Sequence, residues 1–388
     1  MTANLRRAAG SLLVVGLGGT ELTGLERAWL RLVRPAGIIL FRRNIADARQ
    51  TLALLEEATG LGAAHGLRCV DVEGGTVDRL RYALAAMPSA QSVWQAAQQL
   101  DSSSPILSQK ARKDGAPRAL GLTREHGELV AQAVKAFGFN TTLAPVLDLG
   151  LPDSIEVMGT RTAAATAAGV VEYGRGFLSG LAAHGAVGCG KHFPGLGGGT
   201  RDSHLETPVI RRSERKLWNE DLAPYRELRD ELPMVMVNHA AYPETPGKAL
   251  PASVSPYWIA TVLRRRIGYS GIVFSDDLEM GGILKFMRME EAVVAGVRAG
   301  MDLMEICHSP ELILRAYEAL VAEGERSRAF AELLEARARR TARLRAKLFV
   351  RGTPKALSEM QFEALRVRIL RFGETIASYQ PTAEVQTT

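Results

Sequence analysis

Eight short apolar runs recur along the 388-residue chain, and their number constrains the fold more than any other feature. In order they are SLLVVG (11–16), GIILF (37–41), LRCVDV (67–72), TTLAPVLDL (141–149), AVGCGKHF (186–193), PMVMVNHAA (233–241), GIVFSDD (271–277) and DLMEICH (302–308). Runs of this length, rich in Val, Ile and Leu, suit strands buried on both faces, as in parallel sheets. Helical patterns such as GLERAWLRLV, ARQTLALLEEATG and MEEAVVAGVRAG lie between them, and several stop at glycine, a common helix end. Eight strand–helix units predict an α/β fold, a single-domain (β/α)8 TIM-type barrel. A doubly wound open sheet is the structural alternative.

The N-terminal MTANLRRAAGSLLVVGLGG is read as leading into the first strand, because its apolar run is too short for a secretory core. Residues 83–118 are polar and Ser/Pro-rich in their second half and are expected to form an extended loop or insertion. The catalytic barrel is expected over 1–350, followed by a C-terminal extension over 351–388. That extension reads as one more helix and a disordered end.

The net charge of +6 resides mostly in RAFAELLEARARRTARLRAKLFVR (328–351), which reads as one helix. Glutamates intervene and no aromatic alternates with the arginines, so a solvated face is favoured over a nucleic-acid surface. No stretch reaches the ~20 apolar residues of a membrane span. Cys69, Cys189 and Cys307 each lie in an apolar run, with spacing that fits no zinc pattern. They are expected to be buried thiols in a cytoplasmic protein that binds neither nucleic acid nor membrane.

The chemistry of such a barrel lies at the C-terminal ends of its strands. Polar groups gather there on six consecutive strands: Asp71 and Glu73, Asp148, Lys191 and His192, Asn238 and His239, Asp276 and Asp277, and His308. One terminal Asp is commonly a helix cap, but six strands in succession point to a site. Carboxylates and histidines on one face fit acid/base or nucleophilic work. A metal site is the rival reading. Histidine pairs at ligand spacing are lacking and Lys191 would repel a cation, so neither metal nor cofactor is expected. GLGGGT lacks the G-K-[ST] ending of a phosphate loop.

GIILFRRNI, VDVEGGTVDRL, APVLDL…MGTR, KHFPG…DSH and GIVFSDDLEM, in that order, resemble glycoside hydrolase family 3. The resemblance is strongest to its bacterial single-domain β-N-acetylglucosaminidases and runs from about residue 11 to 345. It implies a retaining exo-glycosidase acting on peptidoglycan fragments that end in N-acetylglucosamine. Asp276 matches the catalytic nucleophile. His204 matches the general acid/base, oriented by Asp202. Asp71, Arg79, Arg161, Lys191 and His192 match the sugar-binding residues. Glu73 is expected to serve the turn, Asp148 to support its strand end, Asp277 to cap a helix or back the nucleophile, and Met280 to pack beside it.

The loop KHFPGLGGGTRDSH departs from the family pattern, with Leu196, Gly198 and Gly199 replacing His, Asp and Thr. A glycine-rich loop costs more entropy to order, which predicts extra mobility over 194–203. A β-glucosidase or β-xylosidase of the same family, and a non-catalytic sugar-binding barrel, are the alternative functions.

Overall fold

The computed structural model describes residues 2–102, 118–199, 207–349 and 356–379. Eight parallel strands close a barrel: β1 (Leu13–Gly16), β2 (Gly37–Leu40), β3 (Leu67–Val70), β4 (Thr141–Thr142), β5 (Val187–Phe193), β6 (Met234–Val237), β7 (Ile272–Asp277) and β8 (Leu303–Ile306). Each strand pairs with its neighbours in sequence, and β1 closes the ring against β8, with Leu13 opposite Met304. Closure removes the open sheet from consideration. The β4 ladder is the shortest because Pro145 has no N–H to donate; beyond it only a bridge from Val146 to Lys191 continues the pairing.

Strand alternation divides the core in two. Val14, Ile39, Cys69, Cys189, Met236 and Phe274 fill the barrel interior, and Leu13 and Val15 face the outer helices. All three cysteines are free and buried in the interior cluster. Helices α1 (Thr2–Gly10), α2 (Gly24–Val33), α3 (Ala48–Gly60), α4 (Ala90–Ser102), α5 (Arg118–Ala136), α6 (Ala167–Ala183), α7 (Tyr257–Arg266), α8 (Met289–Ala299), α9 (Pro310–Arg326), α10 (Arg328–Leu348) and α11 (Glu359–Ser378) surround it. Two of them start where the sequence pattern starts because a side chain receives the free N–H groups. Thr23 and Glu26 form a reciprocal capping box on α2, and Asp47 caps α3 through the Gln50 N–H.

Two segments differ from expectation. Residues 2–10, read as leading into a strand, form α1, whose Leu5, Ala8 and Ala9 are buried against the outer layer. Part of the region expected to be a loop forms α4, where Val93, Trp94 and Ala97 are buried; residues 103–117 lie outside the described residues. Helix α11 places Leu365, Ile369, Phe372 and Ile376 in the same core cluster as the outer helices. The end expected to be disordered, beyond Tyr379, lies outside the described residues. Among the described residues, no helix is long and apolar enough to cross a membrane.

Candidate active site

A 480 Å³ cavity opens at the C-terminal ends of the strands. Asp71, Arg79, Arg161, Lys191, His192 and Asp276, expected from six separate sequence positions, all line it. Asp202 and His204 lie outside the described residues.

The wall from β3 to β5 is an ion network. Lys191 Nζ stands 3.0 Å from Asp71 Oδ1 and 2.7 Å from Glu73 Oε1. Arg161 grips Glu73 with two hydrogen bonds, Nε to Oε2 at 2.8 Å and Nη2 to Oε1 at 2.9 Å. Such a planar fork fixes orientation as well as charge. Arg79 approaches Asp71 Oδ2 at 3.6 Å from the more exposed side. Burial alone would raise the Glu73 pKa, but Arg161 and Lys191 outweigh it and hold the carboxylate well below its ordinary range. The same carboxylates raise the Lys191 pKa against the opposing effect of burial. Glu73 therefore does more than shape a turn: it positions two of the cations assigned to the sugar.

Asp148 organises the β5 end. Its Oδ2 accepts from the His192 N–H at 3.1 Å and lies 2.6 Å from His192 Nδ1. Its Oδ1 accepts from the Leu196 N–H at 2.7 Å. With Nδ1 held by Asp148, Nε2 of His192 faces the cavity, where Arg161 Nη2 lies 3.5 Å away. Asn238 Nδ2 donates to the His192 carbonyl at 2.9 Å and locks the backbone from the β6 side.

Asp276 ends the opposite wall, on β7. Burial pushes its pKa up, but His192, His239, Lys191 and the Asp277 N–H, which donates to Oδ1 at 3.0 Å, bring it below the usual value. An ionised carboxylate facing cationic groups across a cavity can act as a nucleophile. Asp277 differs by one position and has the opposite electrostatics. Burial, Glu279 and Asp276 raise its pKa to about 7. It caps no helix: the short helix Gly281–Leu284 follows Met280, and Asp277 Oδ1 accepts from the Glu279 N–H at 3.0 Å. Met280 lines the cavity beside both.

Glu305, on β8, was not singled out in the sequence. It faces the cavity from the barrel interior, where burial, Asp277, Asp71 and Asp276 push its pKa far up. The signal was an acid within an otherwise apolar strand, DLMEICH. Arg42 and Arg43 also reach the rim, Arg43 donating to the Cys307 carbonyl at 2.7 Å. Asp277, Glu279 and His308 each bring one ligand-type atom within 4.8 Å of the others. Glu279, however, accepts the backbone N–H groups of Cys307, His308 and Ser309, which leaves its carboxylate committed to holding the strand end.

The described part of the glycine-rich loop is packed. Residues 194–197 and Gly199 are buried. Gly195 has φ +134°, and a Cβ on Gly197 would lie 2.7 Å from the Leu149 carbonyl oxygen. These two glycines thus answer to backbone shape and close approach, not to freedom of movement. The rest of the stretch expected to be mobile, 200–203, lies outside the described residues.

Residues 5–344 match the glycosyl hydrolase family 3 N-terminal domain. The chain is 37% identical over 302 residues to a protein named beta-hexosaminidase from Alkalilimnicola ehrlichii, covering 78% of this chain and 82% of that one. It superposes on a family 3 β-N-acetylglucosaminidase from Paenibacillus with TM-score 0.80 and 28% identity, over 95% of this chain and 68% of that one. Native NagZ from Neisseria gonorrhoeae gives TM-score 0.73 at 27% identity, over 96% and 98% of the two chains. With the profile matched along most of its length and a relative this similar, the chain belongs to glycoside hydrolase family 3.

Proposed function

We propose that the chain is a retaining exo-β-N-acetylglucosaminidase. It removes non-reducing terminal N-acetylglucosamine from peptidoglycan-derived fragments in the cytoplasm, as part of cell-wall recycling. One observation carries the reading. Asp276, held ionised, shares a cavity with Asp71, Lys191 and His192, a donor–acceptor set suited to ring hydroxyls. The relatives named beta-hexosaminidase support the choice of sugar, as does the gonococcal NagZ solved with N-trifluoroacetyl-D-glucosamine.

In this mechanism Asp276 attacks the anomeric carbon as the glycosidic bond breaks, and His204 gives its proton to the leaving oxygen. A covalent glycosyl-enzyme remains. His204 then takes a proton from water, the hydroxide attacks the same carbon, and Asp276 leaves as a carboxylate. Two inversions retain the β configuration. Asp202 orients the His204 ring and stabilises its charged form. Asp71, Lys191, His192, Arg79 and Arg161 hold the sugar. Leu143 and Met236, which belong to the barrel-interior cluster, line the cavity and close its depth, so a chain end enters but a chain cannot thread through. Residues 1–350 carry the activity and 351–388 are a supporting extension.

Turnover of aryl β-N-acetylglucosaminide against aryl β-glucoside tests the reading. Faster release from the glucoside overturns the sugar assignment. No release from either, by a folded protein, overturns the catalytic assignment and leaves a sugar-binding barrel.

A further inference from the structure

The opposite mouth of the barrel holds a second cavity, also 480 Å³, within the ~300–1,000 Å³ range of small-molecule sites. Arg7, Arg34, His65, Arg339 and Arg345 line it. Among the lining residues Glu335 is the one carboxylate, and it already pairs with Arg339 at 3.2 Å. Four arginines thus contribute to its lining, and among the described residues Arg339 is the one of them with an ion pair.

Arg345 makes this arrangement hard to attribute to a solvated helix face. Its side chain comes from the last turns of α10 and is only 2% exposed. Nη1 donates to the Ala36 carbonyl at 3.0 Å, just before β2. Nε is fully buried without a partner, and among the described residues no carboxylate pairs with the group. Burial pushes its pKa down to about 10. An uncompensated buried cation is costly, and a bound anion removes the cost.

Backbone conformation adds an independent observation. Among the described residues, three non-glycine residues have left-handed φ: Arg34 at 53°, His65 at 54° and Lys248 at 51°. The first two line this cavity. Arg34 ends α2 as its left-handed cap, donating its N–H to the Leu30 carbonyl, and His65 precedes β3 with Nδ1 3.0 Å from the Phe349 carbonyl.

We infer that this cavity binds a phosphate group, free or on a small phosphorylated molecule. Guanidinium forks match phosphate oxygens in shape and charge. The site is at the mouth opposite Asp276 and does not depend on the glycosidase reading.

The test is thermal unfolding of the full chain at constant ionic strength, with inorganic phosphate replacing chloride. The wild type is expected to gain about 2–4 °C in Tm along a saturable curve. Arg345→Met keeps an apolar stem in place and is expected to abolish the gain. Arg7→Gln alters an exposed side chain, so it folds whatever Arg345→Met does, and is expected to weaken phosphate binding several-fold. Glucose 6-phosphate separates the sources: tighter binding than phosphate assigns the site to a phosphorylated molecule, and equal binding assigns it to the free ion. No saturable gain in the wild type, or an unchanged phosphate dependence in Arg7→Gln, overturns the inference.

Discussion

Glu73 Oε1 lies 2.7 Å from Lys191 Nζ, and the two side chains are only 2% and 4% exposed. Removing one partner of so buried a pair leaves a desolvated charge. Glu73→Gln is expected to destabilise the protein by about 3 kcal/mol in urea unfolding. Lys191 retains Asp71 and Arg161 loses its fork, so this wall of the cavity loosens. A rise of about 10-fold in KM on an aryl β-N-acetylglucosaminide is expected, with a smaller change in kcat.

Asp276 and His204 have separable signatures. Asp276→Ala is expected to lower kcat by at least about 10³-fold on every substrate, because no covalent intermediate can form. On the proposed mechanism His204→Ala withdraws protonation of the leaving oxygen, which a nitrophenolate scarcely needs. Its glycosylation rate is therefore expected to fall much less with dinitrophenyl than with alkyl leaving groups. Equal losses on both would assign the acid to another residue.

Asp277 carries a pH effect of definite sign. Its folded pKa of about 7 is above the unfolded value near ~3.9. Below the unfolded value both states are protonated and nothing is lost. As pH rises from there towards the folded value, the unfolded chain ionises first and stability falls, levelling off above about 7. Asp277→Asn is expected to match the wild type at pH 4 and to exceed it by about 2 kcal/mol at pH 8. Denaturant midpoints at the two pH values measure the difference, and a gain at acid pH instead would refute it.

Asp148 accepts from three N–H groups of the β5 end. Asparagine keeps the shape but turns one acceptor into a donor. Asp148→Asn is expected to cost about 2 kcal/mol of stability and to release the His192 tautomer. The pH dependence of kcat/KM should shift with it, whereas a purely structural Asp148 would leave the profile unchanged.

Strand positions were legible because both faces of a barrel strand are buried, which writes each one as a continuous apolar run. The helices were legible from their own periodicity and caps: α2 and α3 begin at Thr23 and Asp47, and α3 ends at Gly60. Helix α1 was missed because its short run of alanines and arginines leads straight into an apolar stretch; α2, α9 and α10 pack on it and bury Leu5, Ala8 and Ala9. Asp71, Lys191, His192 and Asp276 could be read as site residues from their places at strand ends. Glu73 was placed there too but given to the turn, and Glu305 was passed over, since whether an acid is committed to a turn or to cations depends on side chains far away in the chain.

The sequence by itself determined the eight-fold alternation, and with it the end of the barrel where the polar residues gather, because local periodicity and turn chemistry decide these. Tertiary structure alone decided the charge states. Asp276 and Asp277 are neighbours in the same strand end, yet one is held ionised and the other is pushed towards neutrality. Electrostatic energy depends on distance and burial, and closure of the barrel sets both by bringing β3, β5, β7 and β8 around one cavity.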